Sequence, residues 1–128
     1  MEKKHGTGEI EQEVDALLAA ADQLLTVAEQ TQDPTFVYEK CRAAVGQLLL
    51  AYLLTREGRT NLSADSTIGL LWEKSVACDP EILLLADQIR YFLDEIGSVP
   101  NGEEMETILD AANEIWDFIY DSFPEVET

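Results

Sequence analysis

The chain has 128 residues, 46% of them hydrophobic, with 8 Lys and Arg against 26 Asp and Glu and a net charge of −18. That length makes a single domain able to bury roughly two-thirds of its unfolded surface without staples, and the apolar share excludes overall disorder. Charge of this sign repels phosphate backbones and anionic lipid, which disfavours direct nucleic-acid or membrane binding.

The acids are unevenly placed. Residues 1–30 carry 2 bases and 7 acids, residues 31–90 carry 6 and 8, and residues 91–128 carry 11 acids and no base. A C-terminal polyanion serves solubility, docks onto a basic protein or mimics a nucleic acid. The longest apolar run, 43–54, is interrupted by Gly46 and Gln47. It falls short of the about 20 residues that a span needs. The opening "MEKKHGTGEIEQE" lacks the apolar region of a signal peptide, so a cytoplasmic protein is expected.

The chain-order reading expects a flexible tail over 1–8, one helical domain over 9–124 and a short tail over 125–128. The first helix, 9–30, places Ile10, Val14, Leu17, Leu18, Ala21, Leu24, Leu25 and Ala28 on one face at three- and four-residue spacing. "TQDPT" interrupts it, with Asp33 as N-cap and Pro34 in the next first turn. The second helix then runs to about Glu57, with Phe36, Val37, Cys41, Val45, Leu48, Leu49, Tyr52 and Leu53 inward, and Gly58 ends it. Leu48, Leu49, Leu50, Leu53 and Leu54 do not all point one way. This helix is therefore central, and a second apolar face on it is expected to close a homodimer.

After "RTNLSADS", Asp65 or Ser66 caps a third helix, 67–78, carrying Ile68, Leu71, Trp72 and Val76. Asp79 and Pro80 start a fourth, with Ile82, Leu85, Ile89, Phe92, Leu93 and Ile96 inward, which stops at Gly97. The turn "SVPNG" leads to a fifth helix, 103–123, with Ile108, Leu109, Ala112, Ile115, Trp116, Ile119, Tyr120 and Phe123 on its apolar stripe, followed by Pro124. Trp72, Trp116, Cys41 and Cys78 read as core residues. No strand pattern occurs, so the expected fold is all-α: a five-helix, up-and-down type bundle around a four-helix-bundle core.

Ordinary catalytic constellations are missing. The one histidine, His5, is flanked by the glycine-containing N-terminal segment, and neither an ExxH pair nor a CxxC spacing occurs, so no metal or other cofactor is expected. Ser63, Ser66 and Ser75 have no ordered histidine as base. "NGEE" opens the fifth helix with acids, which repel a phosphate.

"VYEKCRAAVGQLLLAYLLTREG" (37–58), the loop and short helix of "NLSADSTIGLLWEKSVACDP" (61–80), the "IRYF" helix and the closing "ILDAANEIWDFIYDSFP" resemble HEPN domains in helix order, over about residues 9–124. The resemblance implies a helical bundle that pairs about a two-fold axis. It also implies either an RNA-cutting toxin or an inactive companion of nucleotidyltransferase-like proteins. Active members carry an arginine followed, four to six residues later, by a histidine. Arg90 matches the arginine by place, but Glu95, Ile96 and Gly97 stand at or near the histidine positions, and Ser66 and Thr67 replace a further histidine. Without a group that titrates near neutrality, ribonuclease chemistry lacks its acid and base.

Asp87 and Asp94 lie three before and four after Arg90, which predicts an ion pair on one helix face. The site residues expected for a ligand or partner are therefore Arg90, Asp87, Tyr91 and Asp94, with none catalytic. The expected function is a non-catalytic, HEPN-like binding or regulatory module. It would be dimeric and engage a protein partner, basic or nucleotidyltransferase-like, or a small anionic or nucleotide ligand. The alternatives are a divergent ribonuclease using Arg90 with Asp94 or Glu95, and an acidic antitoxin or nucleic-acid mimic that captures a basic protein.

Overall fold

In the computed structural model, which describes residues 5–58, 66–93 and 102–122, every element is helical. The order is α1 (His5–Glu29), α2 (Pro34–Glu57), α3 (Ile68–Cys78), a 3-10 segment (Pro80–Leu85), α4 (Ala86–Leu93) and α5 (Gly102–Ser122). The all-α bundle is thus present, with no strand among the described residues. Asp65, Asp94, Glu95, Ile96, Gly97, Phe123 and Pro124 lie outside them. Helix α1 begins at His5, so residues 5–8 of the expected tail belong to a helix.

Helix α2 is the axis. Its Val37, Cys41, Ala44, Val45, Leu48, Leu49, Ala51, Tyr52 and Leu53 have no exposed surface, and Leu50 and Leu54 retain only 7% and 6%. The faces that a single amphipathic helix leaves open are here covered by α1, α5 and α3, all of which pack directly on α2. The second apolar face from which a homodimer was expected is therefore consumed inside one chain. Its start is set as the sequence predicts: Asp33 accepts from the Thr35 N–H at 3.1 Å, with Pro34 in the first turn. At its end Gly58 adopts φ 81° and ψ −134°, a region open essentially to glycine alone, while its N–H caps the Leu54 carbonyl.

Two local expectations are corrected. Helix α3 is capped by Thr67, whose hydroxyl accepts from the Leu70 N–H at 3.1 Å, not by Ser66. The expected fourth helix is two pieces. Asp79 accepts from Glu81 N–H, and the Ile82 N–H closes a tight turn onto the Asp79 carbonyl. Three residues per turn place Ile82 and Leu85 in register toward the core, at 0% and 4% exposure, and throw Leu83 and Leu84 outward at 50% and 72%. An α-helical pitch resumes only at Ala86.

From there α4 is aimed by one side chain. Phe92 is fully buried, stacks on Tyr38 at 6.0 Å, and offers its carbonyl to Arg42 Nε at 3.3 Å. With Ile89 and Phe92 turned inward, Arg90 and Tyr91 must face out. On α5, Ile108, Ala111, Ala112, Ile115 and Ile119 form the buried stripe. Trp116 and Trp72 are only half-buried and edge the core, and Tyr120 is 53% exposed, stacked on Trp116 at 5.4 Å. Cys78 is likewise partly exposed, whereas Cys41 sits in the core.

Replacing Leu49 by Ala at the bundle axis is expected to lower stability by about 2–5 kcal/mol, because a fully enclosed side chain leaves a cavity. Leu84→Ala is expected to change it by less than about 0.5 kcal/mol. Urea unfolding of the two variants checks both.

Candidate functional site

Arg90 settles first. Its Nη1 lies 3.7 Å from Asp87 Oδ1, one turn back on α4, and the two side chains are 75% and 89% exposed. Such a pair is worth a few tenths of a kcal/mol and holds nothing rigidly in place. Asp94, the second expected partner, is outside the described residues, as is Glu95. Arg90 is therefore a solvent-facing pair-former.

The two cysteine thiols are held protonated. Burial, with Glu29 nearby, pushes the Cys41 thiol up to about 12, and burial also raises the Cys78 thiol, so neither offers a thiolate at neutral pH. No group of three or more His, Cys, Asp or Glu among the described residues could hold a metal ion. The most elaborate polar cluster joins α2 to the α3–3-10 junction. The Tyr52 hydroxyl donates to Asp79 Oδ2 at 2.6 Å, Arg56 Nε lies 3.6 Å from the same oxygen, and the Arg56 guanidinium sits 4.8 Å over the Tyr52 ring.

Burial and the bond to Asp79 raise Tyr52 to about 12, while the Tyr52 hydroxyl, the Glu81 N–H and Arg56 hold Asp79 below the usual carboxylate range. A fully enclosed, strongly protonated phenol cannot act on a substrate, so this cluster is a clasp. Arg56 extends it to the end of α5, donating to the Ser122 carbonyl at 3.4 Å.

Among the described residues a shallow groove of about 210 Å³ opens between α4 and α5, walled by Asp87, Gln88 and Tyr91 on one side and Thr107, Asp110, Ala111 and Glu114 on the other. Two of the four expected site residues, Asp87 and Tyr91, belong to it; Arg90 does not line it. Gln88 Nε2 donates to Glu114 Oε1 at 2.7 Å across the groove, and the Gln88 amide oxygen is enclosed with no described donor. Acceptors thus dominate the walls, as three carboxylates beside a tyrosine that is 45% exposed.

Beyond the groove the acids continue. Glu106, Asp110, Glu114, Asp117 and Asp121 recur at four, four, three and four residues and are all exposed. That spacing draws one stripe about 22 Å long down the outer face of α5. No Lys or Arg occurs anywhere from residue 91 onward to neutralise it.

Sequence reasoning found the acids but not the groove. Gln88 carried no signal, since an amide inside a helix reads as surface until its neighbour is known. Tyr52 did carry one: a phenol within the apolar run Leu48–Leu54 must find an acceptor when buried. Comparison with known proteins adds no assignment: no family model matches the chain, and neither a curated protein nor a solved structure is significantly similar to it.

Two outcomes are expected. Arg90→Gln leaves stability within about 0.5 kcal/mol of the parent in urea, since both partners of its pair stand in solvent. Tyr52→Phe destabilises and reshapes the pH profile. The depressed Asp79 gives stability that is present above the ordinary carboxylate range and lost as pH falls through its lowered value. The raised Tyr52 gives stability that is present below about pH 10 and lost as pH climbs toward about 12. Thermal melts across that range are expected to show both losses shrinking in the variant.

Proposed function

We propose that this chain is a non-catalytic, HEPN-like helical module that binds a basic protein through the acidic outer face of α5 and its groove with α4. The carrying observation is the unbroken stripe Glu106–Asp110–Glu114–Asp117–Asp121, all exposed and without a basic residue from position 91 on. Aligned carboxylates with no basic residue on their own helix steer a cationic partner and raise its encounter rate.

The groove argues for the same sign of ligand. Its walls present acceptors, so a small anionic or nucleotide ligand, one of the expected alternatives, meets repulsion there. Basic proteins, including companions of the nucleotidyltransferase-like kind, fit this surface; RNA does not. The ribonuclease alternative has less to support it: Arg90 is paired in solvent, and the histidine that the resembled family places downstream is absent from the sequence, while Asp94 and Glu95, the acids that would serve instead, lie outside the described residues. Dimerisation is not needed for this role, since the apolar faces of α2 are satisfied within one chain. No described helix is long and apolar enough to cross a membrane.

Fluorescence anisotropy with labelled polylysine and with a labelled single-stranded RNA separates the readings. Polylysine is expected to bind at about 0.1 M salt and to be released at about 1 M, where the screening length falls from about 10 to about 3 Å. The RNA is expected to remain unbound and intact. RNA cleavage that disappears in Arg90→Ala would overturn the proposal in favour of the nuclease.

A further inference from the structure

Charge alone does not account for the rim of the groove. Leu84, at 72%, is the most exposed large apolar side chain described, and Leu83 beside it is 50% exposed. Both are turned outward because the 3-10 pitch has given the core its Ile82 and Leu85. Leu84, Gln88 and Tyr91 follow at four and three residues, so an apolar edge runs from the 3-10 segment into α4 and ends at a tyrosine 45% exposed. Gln88 and Tyr91 are also groove walls, and the facing wall supplies Asp110 and Glu114. The exposed edge and the acceptor-lined groove thus meet at Gln88 and Tyr91, with Leu84 and Tyr91 both open to solvent.

We infer that this surface is a docking site for a short basic amphipathic segment of a protein partner, whose apolar residue lies on Leu84 and Tyr91 and whose neighbouring Lys or Arg enters the groove. The inference rests on the proposed function and makes it specific: of the acidic face, one end reads shape as well as charge.

The occupant follows from complementarity. An ammonium or guanidinium is donor-only, and the groove offers it the carboxylates of Asp87, Asp110 and Glu114. The exposed ring of Tyr91 gives the same cation a π face. Leu84 and Leu83 take an apolar neighbour, which a purely polar basic chain cannot supply. Arg90, loosely paired to Asp87 at the outer edge, is displaced from that carboxylate at little cost. An anionic lipid surface meets three carboxylates here and is repelled.

The test compares two labelled probes of equal length and charge, an amphipathic leucine–lysine peptide and a serine–lysine peptide, on the full chain and two sets of variants. The groove variants are Leu84→Ser and Glu114→Gln; the latter keeps an oxygen to accept from Gln88. The stripe control is Asp117→Asn with Asp121→Asn, on the same face but outside the groove. The leucine–lysine peptide is expected to bind the parent roughly tenfold more tightly than the serine–lysine peptide, and Leu84→Ser is expected to abolish that difference. Glu114→Gln is expected to weaken both probes more than the stripe control does. Thermal melts of Leu84→Ser are expected to match the parent, because that side chain is solvent-facing.

Equal binding of the two peptides, with loss only in the stripe control, overturns the inference and leaves the proposed function standing. Failure of either peptide to bind at about 0.1 M salt overturns both. Self-association of the parent that is lost in Leu84→Ser, or binding to neutral phosphatidylcholine vesicles that is lost in the same variant, identifies a second copy or a lipid as occupant and also overturns it.

Discussion

A helix that is apolar all round cannot lie on a surface, and the rest of this structure follows from that constraint. Helix α2 carries a nearly continuous wall of Leu, Val, Ala and Cys from Val37 to Leu54, and it survives in water only by being enclosed. Enclosure needs elements on several sides at once. The short link after α1 lays that long helix against α2; α3 and α5 take the remaining faces. Once this is done α2 itself presents almost no apolar surface to water, from Ala44 to Leu54.

The second determinant is Asp79, which satisfies three demands with one side chain. One oxygen takes the N–H of Glu81 and so starts the 3-10 segment, while the other takes the buried Tyr52 hydroxyl and faces Arg56. The place where the chain turns from α3 toward α4 is thereby tied to the central helix. Because the turn is wound tightly, its inward and outward residues are set by a three-residue repeat. That is the origin of the exposed Leu83 and Leu84, which an α-helical repeat starting at Pro80 would distribute differently.

These two constraints also decide where charge collects. The bases of the middle segment are partly spent on internal work: Arg42 binds the Phe92 carbonyl and Arg56 the Asp79 carboxylate and the Ser122 carbonyl. Of the described carboxylates of α5, Glu114 accepts from Gln88, and Glu106, Asp110, Asp117 and Asp121 stand exposed with it on the face opposite the buried stripe of Ile108, Ala112, Ile115 and Ile119. A surface of this kind is costly in self-repulsion and gains most from a cationic partner.

The all-α class, the Asp33–Pro34 start and Gly58 end of α2, the break at Asp79–Pro80, the centrality of α2 and the pairing of Arg90 with an acid three residues away were all legible in the sequence. Each depends on interactions within a few turns of one helix: apolar spacing, Asp–Pro and Gly punctuation, and side chains one turn apart. The acidic C-terminal third was equally plain, because composition needs no fold. The tertiary structure alone decided the remainder. It turned Asp79 from a helix cap into the anchor of Tyr52 and Arg56, and it split the fourth helix. It also placed Gln88 against Glu114 and left Trp116 and Tyr120 at the edge of the core instead of inside it. Those outcomes depend on which residue, 26 or 27 positions away, arrives opposite, and a one-dimensional pattern holds no record of that.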